Sequence, residues 1–154
     1  MTRRMLPALL AAVLIPLLAA SPANAELATE TEARVVAGNW LRLVVHEAGD
    51  WAGTEDPALA GVQEIVVDGT LLGWAFAVEP RGHIVVPVLR ELPAVKAYSD
   101  ESDLDVTGER GYPVLVREVL ESRAREFSRL YGSLEAAAPS GSRAPGSEAR
   151  AVWE

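Results

Sequence analysis

The stretch from residue 62 to residue 99 constrains the fold of this chain more than any other. It is rich in β-branched and aromatic residues and contains two turn signals, Asp68-Gly69 and Pro80-Arg81-Gly82. Asp-Gly between apolar segments is a strong signal of a two-residue hairpin turn, because both positions accept positive φ. We therefore predict a small antiparallel sheet of four strands, at residues 62–67, 70–78, 83–88 and 95–98.

The second of these strands has two unlike faces, because every second residue of a strand points to the same side. The bulky face carries Leu72, Trp74, Phe76 and Val78, and the other face carries Leu71, Gly73, Ala75 and Ala77. The smaller face leaves room for a helix to approach closely. Pro87 lies near the end of the third strand and indicates that the strand is exposed or stops there, since proline cannot donate to a sheet ladder.

Two helices are predicted, one before and one after the sheet segment in the sequence. The first covers residues 29–47, because Thr29 and Glu32 have the spacing of a capping box and Gly49 suits a helix end. The second covers residues 113–135, where a proline in the first turn is harmless. Apolar residues at helical spacing are Val36, Trp40, Leu43 and Val44 in the first helix, and Leu115, Val119, Leu120, Phe127, Leu130, Tyr131 and Leu134 in the second. The expected fold class is therefore α+β.

The connecting segments are predicted to be loops. Residues 48–61 are rich in Gly, Ala and Asp, and we considered a short helical turn at residues 57–60. Trp51 is expected to cover one edge of the core. Residues 99–111 form an acidic loop. In the second helix, Arg117, Glu121 and Arg125 are spaced for ion pairs.

Both ends of the chain are predicted to lie outside the folded domain of residues 26–135. Residues 1–25 have the basic start, the apolar segment and the small residues of a secretory signal peptide, with cleavage expected between Ala25 and Glu26. The apolar segment is shorter than the roughly 20 residues of a membrane span. Residues 136–154 have the composition of a flexible linker or a truncated junction. We expect a secreted or periplasmic protein without a stable membrane anchor.

Charge and cysteine content exclude several classes of function. The chain has 14 Lys and Arg against 22 Asp and Glu, for a net charge of −8. Loss of Arg3 and Arg4 with the signal peptide leaves 12 basic and 22 acidic residues, or −10. This balance argues against a nucleic-acid partner and suits a soluble exported protein, or one that meets a basic partner. Cysteine is absent, so the chain has no thiol nucleophile.

No side-chain constellation in the sequence predicts catalysis or metal binding. His46 at the end of the first helix and His83 at the start of a strand lack metal-ligand spacing, and structural or surface roles explain them. Asp100, Asp103 and Asp105 alternate loosely in the acidic loop, but the glycine and glutamate of a calcium-binding loop are missing. We expect no catalytic residues, no metal site, no cofactor and no enzymatic activity.

A family resemblance lies in the second half of the predicted sheet. It is carried by Gly82-His83-Ile84-Val85-Val86, residues 92–99 and Leu104-Asp105. These residues resemble the Spi protease-inhibitor domain, the N-terminal pro-domain of streptopain-type cysteine peptidases. His83 stands where that family has an aromatic residue, and Ala97-Tyr98-Ser99 stands where it has Gly-Tyr-Ser. Residues 87–91 depart from the Ser-Gly-Asp-type turn of the family.

The resemblance implies an inhibitory pro-domain that blocks the cleft of a papain-like cysteine peptidase, in the same precursor or in a separate protein. The contact that it implies is the loop of Val106, Thr107, Gly108, Glu109, Arg110 and Gly111. Two alternatives stay open. One is a free-standing secreted peptidase inhibitor. The other is a non-enzymatic exported binding or adhesion module whose acidic loop recruits calcium or a basic partner.

Overall fold

The computed structural model describes residues 27–132 and residue 134. The elements are α1 (Glu30–Ala48), β1 (Ala58–Val67), β2 (Thr70–Glu79), β3 (His83–Pro87), β4 (Ala97–Ser99) and α2 (Tyr112–Tyr131). The strands form one antiparallel sheet in the order β1-β2-β3-β4. The predicted α+β class, with two helices and a four-stranded antiparallel sheet, is confirmed. The predicted signal peptide, its cleavage point between Ala25 and Glu26, and residues 136–154 lie outside the described residues.

Both ends of α1 are set by the residues that predicted them. The Thr29 hydroxyl accepts a hydrogen bond from the Glu32 amide, and the Glu32 carboxylate accepts one from the Thr29 amide at 2.8 Å. This reciprocal capping box satisfies amide groups that the first helical turn leaves free. Gly49 ends the helix in the left-handed conformation, with φ of 93°, which glycine adopts readily because it has no Cβ.

The hairpin of β1 and β2 is longer than predicted. Asp68 and Gly69 form its turn with φ of 49° and 79°, as the Asp-Gly pair predicts. β1 starts at Ala58, so the helical turn considered at residues 57–60 is wrong. Residues 60 and 61 together face Ala77 alone, which is a β-bulge. With this bulge, β1 extends toward the N-terminus through a segment whose small residues are typical of a loop.

A second bulge changes the side to which Leu72 points. Ile65 pairs with Gly73 and Val66 pairs with Leu71, so Leu72 is an extra residue in β2. A bulge interrupts the alternation of side chains, and Leu72 accordingly lines a cleft that is also lined by α2. The prediction that Leu72 shares the face of Trp74, Phe76 and Val78 is therefore wrong.

The two helices cover opposite faces of the sheet. The ring of Tyr98 in β4 lies 5.4 Å from the ring of Trp40 in α1. The next residue of β4, Ser99, points to the other face and pairs with His83. The His83 ring lies 5.5 Å from the ring of Tyr112, the first residue of α2. The sheet is thus the middle of three layers, with α1 on one side and α2 on the other.

The unlike faces of β2 match these two layers. The guanidinium of Arg34 in α1 lies 5.2 Å from the centre of the Phe76 ring, which places α1 on the bulky face. The smaller face, which includes Ala75, lies under α2. All five residues of β3 are buried, including Pro87 at the point where the strand stops. Burial of each large apolar side chain in this core contributes about 1.5–3 kcal/mol.

The buried faces of the helices differ from the predicted stripes. The buried residues are Ala33, Val36, Ala37 and Leu41 in α1, and Val116, Leu120, Ala124 and Phe127 in α2. The predicted core residues Leu43, Leu115, Val119 and Leu130 are instead 44%, 57%, 41% and 60% exposed. Apolar residues cover a wider arc of α2 than one sheet face can bury. The side chain of Tyr131 lies outside the described part of the chain.

α2 ends at Tyr131 rather than at residue 135, because Gly132 follows with φ of 97°. Leu134, beyond this end, is 9% exposed and still packs against the core. Over residues 27–132 and 134, no helix has both the length and the apolar content to span a membrane.

Candidate functional site

We call residues 106–111, the segment that the family resemblance implies as the inhibitory contact, the contact loop. Hydrogen bonds from a helix and a strand hold its first residues. Arg117 in the second turn of α2 donates hydrogen bonds to the carbonyl of Val106 and, at 2.8 Å, to the carbonyl of Gly108. The Gln63 side chain in β1 accepts a hydrogen bond from the Val106 amide at 3.4 Å. The start of the contact loop is therefore held by both a helix and a strand.

Asp105 fixes the next part of the contact loop. Its Oδ1 accepts hydrogen bonds from the Thr107 hydroxyl at 2.6 Å and from the Thr107 amide at 2.9 Å. The Gly108 amide donates to the Asp105 carbonyl at 3.1 Å. The bonds from Thr107 lower the pKa of the Asp105 carboxyl, because they favour its charged form. Asp105 thus serves as a turn residue of the kind that binds its own backbone two residues on.

Only the outer part of the contact loop is accessible. Val106 is 8% exposed and belongs to the core, whereas Thr107, Glu109, Arg110 and Gly111 are exposed. The side chains of Glu109 and Arg110 make none of the hydrogen bonds or ion pairs found within residues 27–132. The contact loop therefore combines a fixed base with a tip that offers one acidic and one basic group.

The acidic loop before it is bound to the turn between β2 and β3. The Gly82 amide donates to Asp103 Oδ1 at 2.7 Å, and His83 Nδ1 donates to the Ser102 carbonyl at 2.7 Å. His83 is 1% exposed, so of the structural and surface roles considered for it, a surface role is wrong. Its other ring nitrogen, Nε2, is buried and has no partner among the described residues.

The carboxylates considered for calcium do not converge. Asp103 and Asp105 are bonded to backbone amides of their own chain. Among residues 27–132 and 134, no three His, Asp or Glu side chains lie close enough together to hold a metal ion. His46 is exposed at the end of α1. The calcium-dependent form of the binding-module alternative has no ligand set in this part of the chain.

Arg117 is the supporting residue that the sequence pattern did not identify. Its spacing to Glu121 predicts an ion pair, but Glu121 pairs with Arg125 instead, and Arg117 binds the contact loop. A long basic side chain one turn after a loop–helix junction can reach back to the carbonyls of that loop. The position of Arg117 near this junction, rather than its i, i+4 spacing to Glu121, indicates that it binds the contact loop.

A cleft of about 580 Å³ lies away from the contact loop, between α1 and the chain leading into β1. Its lining includes Gly38, Leu41 and Leu59. The sequence pattern did not predict this cleft, because one of its walls, residues 55–59, was assigned to a loop.

Comparison with known proteins identifies no relative of this chain. No family model, no curated protein and no solved structure matches it.

Proposed function

We propose that residues 26–135 are the inhibitory pro-domain of a secreted streptopain-type cysteine peptidase, and that the contact loop blocks the active-site cleft. Two kinds of support stand behind this. One is the resemblance of residues 82–86, 92–99 and 104–105 to the Spi domain. The other, which carries the proposal, is that Arg117 and Gln63 hold the base of the contact loop while Glu109 and Arg110 project freely.

A loop held in this way suits inhibition for a thermodynamic reason. Ordering a flexible segment at an interface costs about 0.5–1.5 kcal/mol for each immobilised side chain. The hydrogen bonds of Arg117 and Asp105 order the backbone of the contact loop before any partner arrives. The same bonds oppose the distortion that a peptidase requires of a segment that it cleaves.

The surface next to the contact loop supplies apolar area for such an interface. Tyr112, Leu115 and Val119 of α2 are 43%, 57% and 41% exposed. Their i, i+3 and i+7 spacing places them along one flank of the helix. Protein interfaces combine a buried apolar centre with a polar rim, and the first turns of α2 with the loop tip provide both.

The test is inhibition of a mature streptopain-type peptidase by the purified chain, measured with a fluorogenic peptide substrate. The double variant Glu109→Ala/Arg110→Ala is expected to raise the inhibition constant at least about tenfold, equivalent to about 1.4 kcal/mol. Both side chains are exposed, so thermal unfolding should not change. Glu47→Ala/Arg129→Ala is the matched control, since these side chains are also exposed and lie outside the loop tip and the first turns of α2.

Arg117→Met provides a second arm, because it keeps an apolar stem but removes the donors to Val106 and Gly108. We expect weaker inhibition from a protein that remains folded by near-ultraviolet circular dichroism. Substituting the whole contact loop would be less informative, since Val106 is buried. Inhibition that is unchanged in Glu109→Ala/Arg110→Ala would exclude the contact loop as the blocking segment.

A further inference from the structure

α1 contains a glycine that its packing does not require. Gly38 lies in the middle of the helix Glu30–Ala48. A Cβ atom at this position would have Leu59 Cδ1 as its nearest neighbour at 3.9 Å, an ordinary van der Waals distance. Glycine inside a helix is about 1 kcal/mol less favourable than alanine. The glycine therefore lowers stability and keeps space open beside the helix.

That space belongs to the cleft of about 580 Å³ between α1 and the start of β1. The cleft is within the range of about 300–1,000 Å³ typical of ligand sites. Leu41, Val45 and Leu59 give it an apolar floor, and Val35 on its border is 58% exposed. A side chain larger than that of alanine at position 38 would make the cleft shallower.

The cleft runs beside a free sheet edge. Within the described part of the chain, β1 pairs with β2 alone, so its outward backbone groups have no strand partner. Such an edge is a template for an added strand. The bulge at residues 60 and 61 interrupts the regular edge, which limits the added strand to a short segment.

The charges at the cleft favour a basic occupant. Glu55 and Asp56 line it, are exposed, and make no ion pair within residues 27–132. On the helix side, His46 lines the cleft and Arg42 is hydrogen-bonded to Asn39. The whole chain carries a net charge of −8. A lysine or arginine beside the two free carboxylates would gain complementary charge and a faster encounter.

We propose that this cleft binds a short, extended, basic peptide segment of another protein. The segment adds to the outer edge of β1, places an apolar side chain over Leu41 and Leu59, and places a basic side chain beside Glu55 and Asp56. A polypeptide is selected over other small ligands because only a backbone can pair with the strand edge. The cleft lies on the α1 side of the sheet and the contact loop adjoins α2, so this inference does not depend on the proposed function.

The experiment titrates the full chain with the acetylated, amidated peptide Lys-Val-Leu-Val-Lys-Val, followed by calorimetry and by NMR shifts of the amides of residues 55–62. Gly38→Leu is expected to weaken binding at least tenfold, because its side chain fills the cleft. Gly38→Ala is the matched control and should bind within twofold of the wild type. Both variants raise helix propensity, and thermal unfolding of each variant checks that it remains folded.

Two further arms test the chemistry of the occupant. A peptide with glutamate in place of lysine is expected to bind at least tenfold more weakly, and Glu55→Lys/Asp56→Lys should reverse that preference. A peptide N-methylated at alternate amides should lose binding, because it cannot complete the ladder with β1. Glu47→Lys/Glu118→Lys, with both exposed positions outside the cleft, changes the net charge by the same amount and is the control.

Several results would overturn the proposal: no binding at about 1 mM peptide, equal affinity of the N-methylated peptide, or affinity unchanged by Gly38→Leu. Binding that appears only after removal of residues 136–154 would assign the cleft to the chain's own segment. Concentration-dependent dimers that disappear in Gly38→Leu would assign it to a second copy. Either of these outcomes contradicts a partner from another protein.

Discussion

Trp51 joins parts of the chain that are far apart in sequence. Its side chain is fully buried, its Nε1 donates to the Arg81 carbonyl at 2.9 Å, and its ring lies 6.1 Å from the ring of Tyr98. The sequence predicted that this loop tryptophan covers an edge of the core, and the structure agrees. The sequence could not predict which groups Trp51 contacts, because a close approach between its loop and the β2–β3 turn leaves no periodic signal.

Gly82 makes that close approach possible, and we predict that replacing it destabilises the fold. Gly82 has φ of 111°, and an added Cβ would lie 2.4 Å from the Ser99 carbonyl oxygen and 3.0 Å from the Trp51 ring. Because backbone atoms must shift, we expect Gly82→Ala to lower the free energy of unfolding by about 3 kcal/mol or more. Urea unfolding followed by tryptophan fluorescence measures this.

Gly53 is the matched control, since it also has positive φ, 86°, but no atom within 4 Å of its added Cβ. Gly53→Ala should cost only about 1 kcal/mol, the backbone strain alone. Equal losses in the two variants would contradict the steric explanation for Gly82.

We expect the stability that Glu32 contributes at the start of α1 to depend on pH. The hydrogen bond and ion pair with Arg90 lower the pKa of the Glu32 carboxyl to about 2, against an ordinary value of 4.5. A lowered folded-state pKa contributes stability that is present above pH 4.5 and is lost as the pH falls toward 2. The Glu32 side chain is 40% exposed, so solvent screening reduces the contribution to about 1 kcal/mol.

Glu32→Gln isolates the charge, because glutamine can retain the capping box. We expect the variant to be about 1 kcal/mol less stable than the wild type at pH 7. The difference should shrink between pH 4.5 and pH 2 as Glu32 is protonated in the wild type. Chemical unfolding at several pH values checks this, and a difference that is constant with pH would contradict the ion-pair explanation.

At the scale of the element, α2 shows that periodicity predicts a helix but does not predict which of its apolar residues are buried. The helical period identified Leu115 and Leu120 as members of one stripe. In the structure Leu120 is 2% exposed and Leu115 is 57% exposed. The apolar arc of α2 is wider than the sheet face that it covers, and the sequence does not say which part of a wide arc faces inward.

The two leucines give a paired prediction. Leu120→Ala should destabilise the fold by about 2–5 kcal/mol, the cost of lost burial and a cavity. Leu115→Ala should change stability by about 0.5 kcal/mol at most, because more than half of the residue's surface is already in solvent. Thermal and urea unfolding of both variants measure the contrast, and similar losses would show that α2 is rotated about its axis.

β1 was predicted from its second half only. The apolar alternation of residues 62–67 identified a strand, whereas residues 58–61 contain two alanines and a glycine and carry no such pattern. Tertiary pairing with β2 decides their conformation, through the bulge opposite Ala77. The cleft beside Gly38 was missed for the same reason, since it depends on where this segment lies.

At the scale of the whole molecule, the sheet needs both helices. α1 covers one face and α2 the other, and the inner strands β2 and β3 are buried on both sides. The sequence predicted both helices and the small face of β2, but the placement of the helices on opposite faces came from the structure. The fixed base of the contact loop could not be predicted either, because Arg117 binds carbonyls and these carry no sequence information.

This arrangement gives a prediction for truncated chains. A chain that ends at residue 111 lacks α2 and exposes the face of Ile65 and Ala75, so we expect it to lose cooperative unfolding and NMR dispersion. A chain that ends at residue 135 retains α2 and Leu134, and its melting temperature should stay close to that of the full chain. A cooperative transition in the shorter chain would contradict a core shared between both faces.

The spatial order of the strands, β1-β2-β3-β4, is also their order along the chain. Each strand can therefore pair with the one before it as soon as it emerges, without waiting for a distant partner, and short loops close quickly. α2 comes last, and until it docks, the face that contains Val85 stays open to solvent. The interval between the synthesis of β4 and the docking of α2 is thus the time when this chain is most exposed to aggregation and proteolysis.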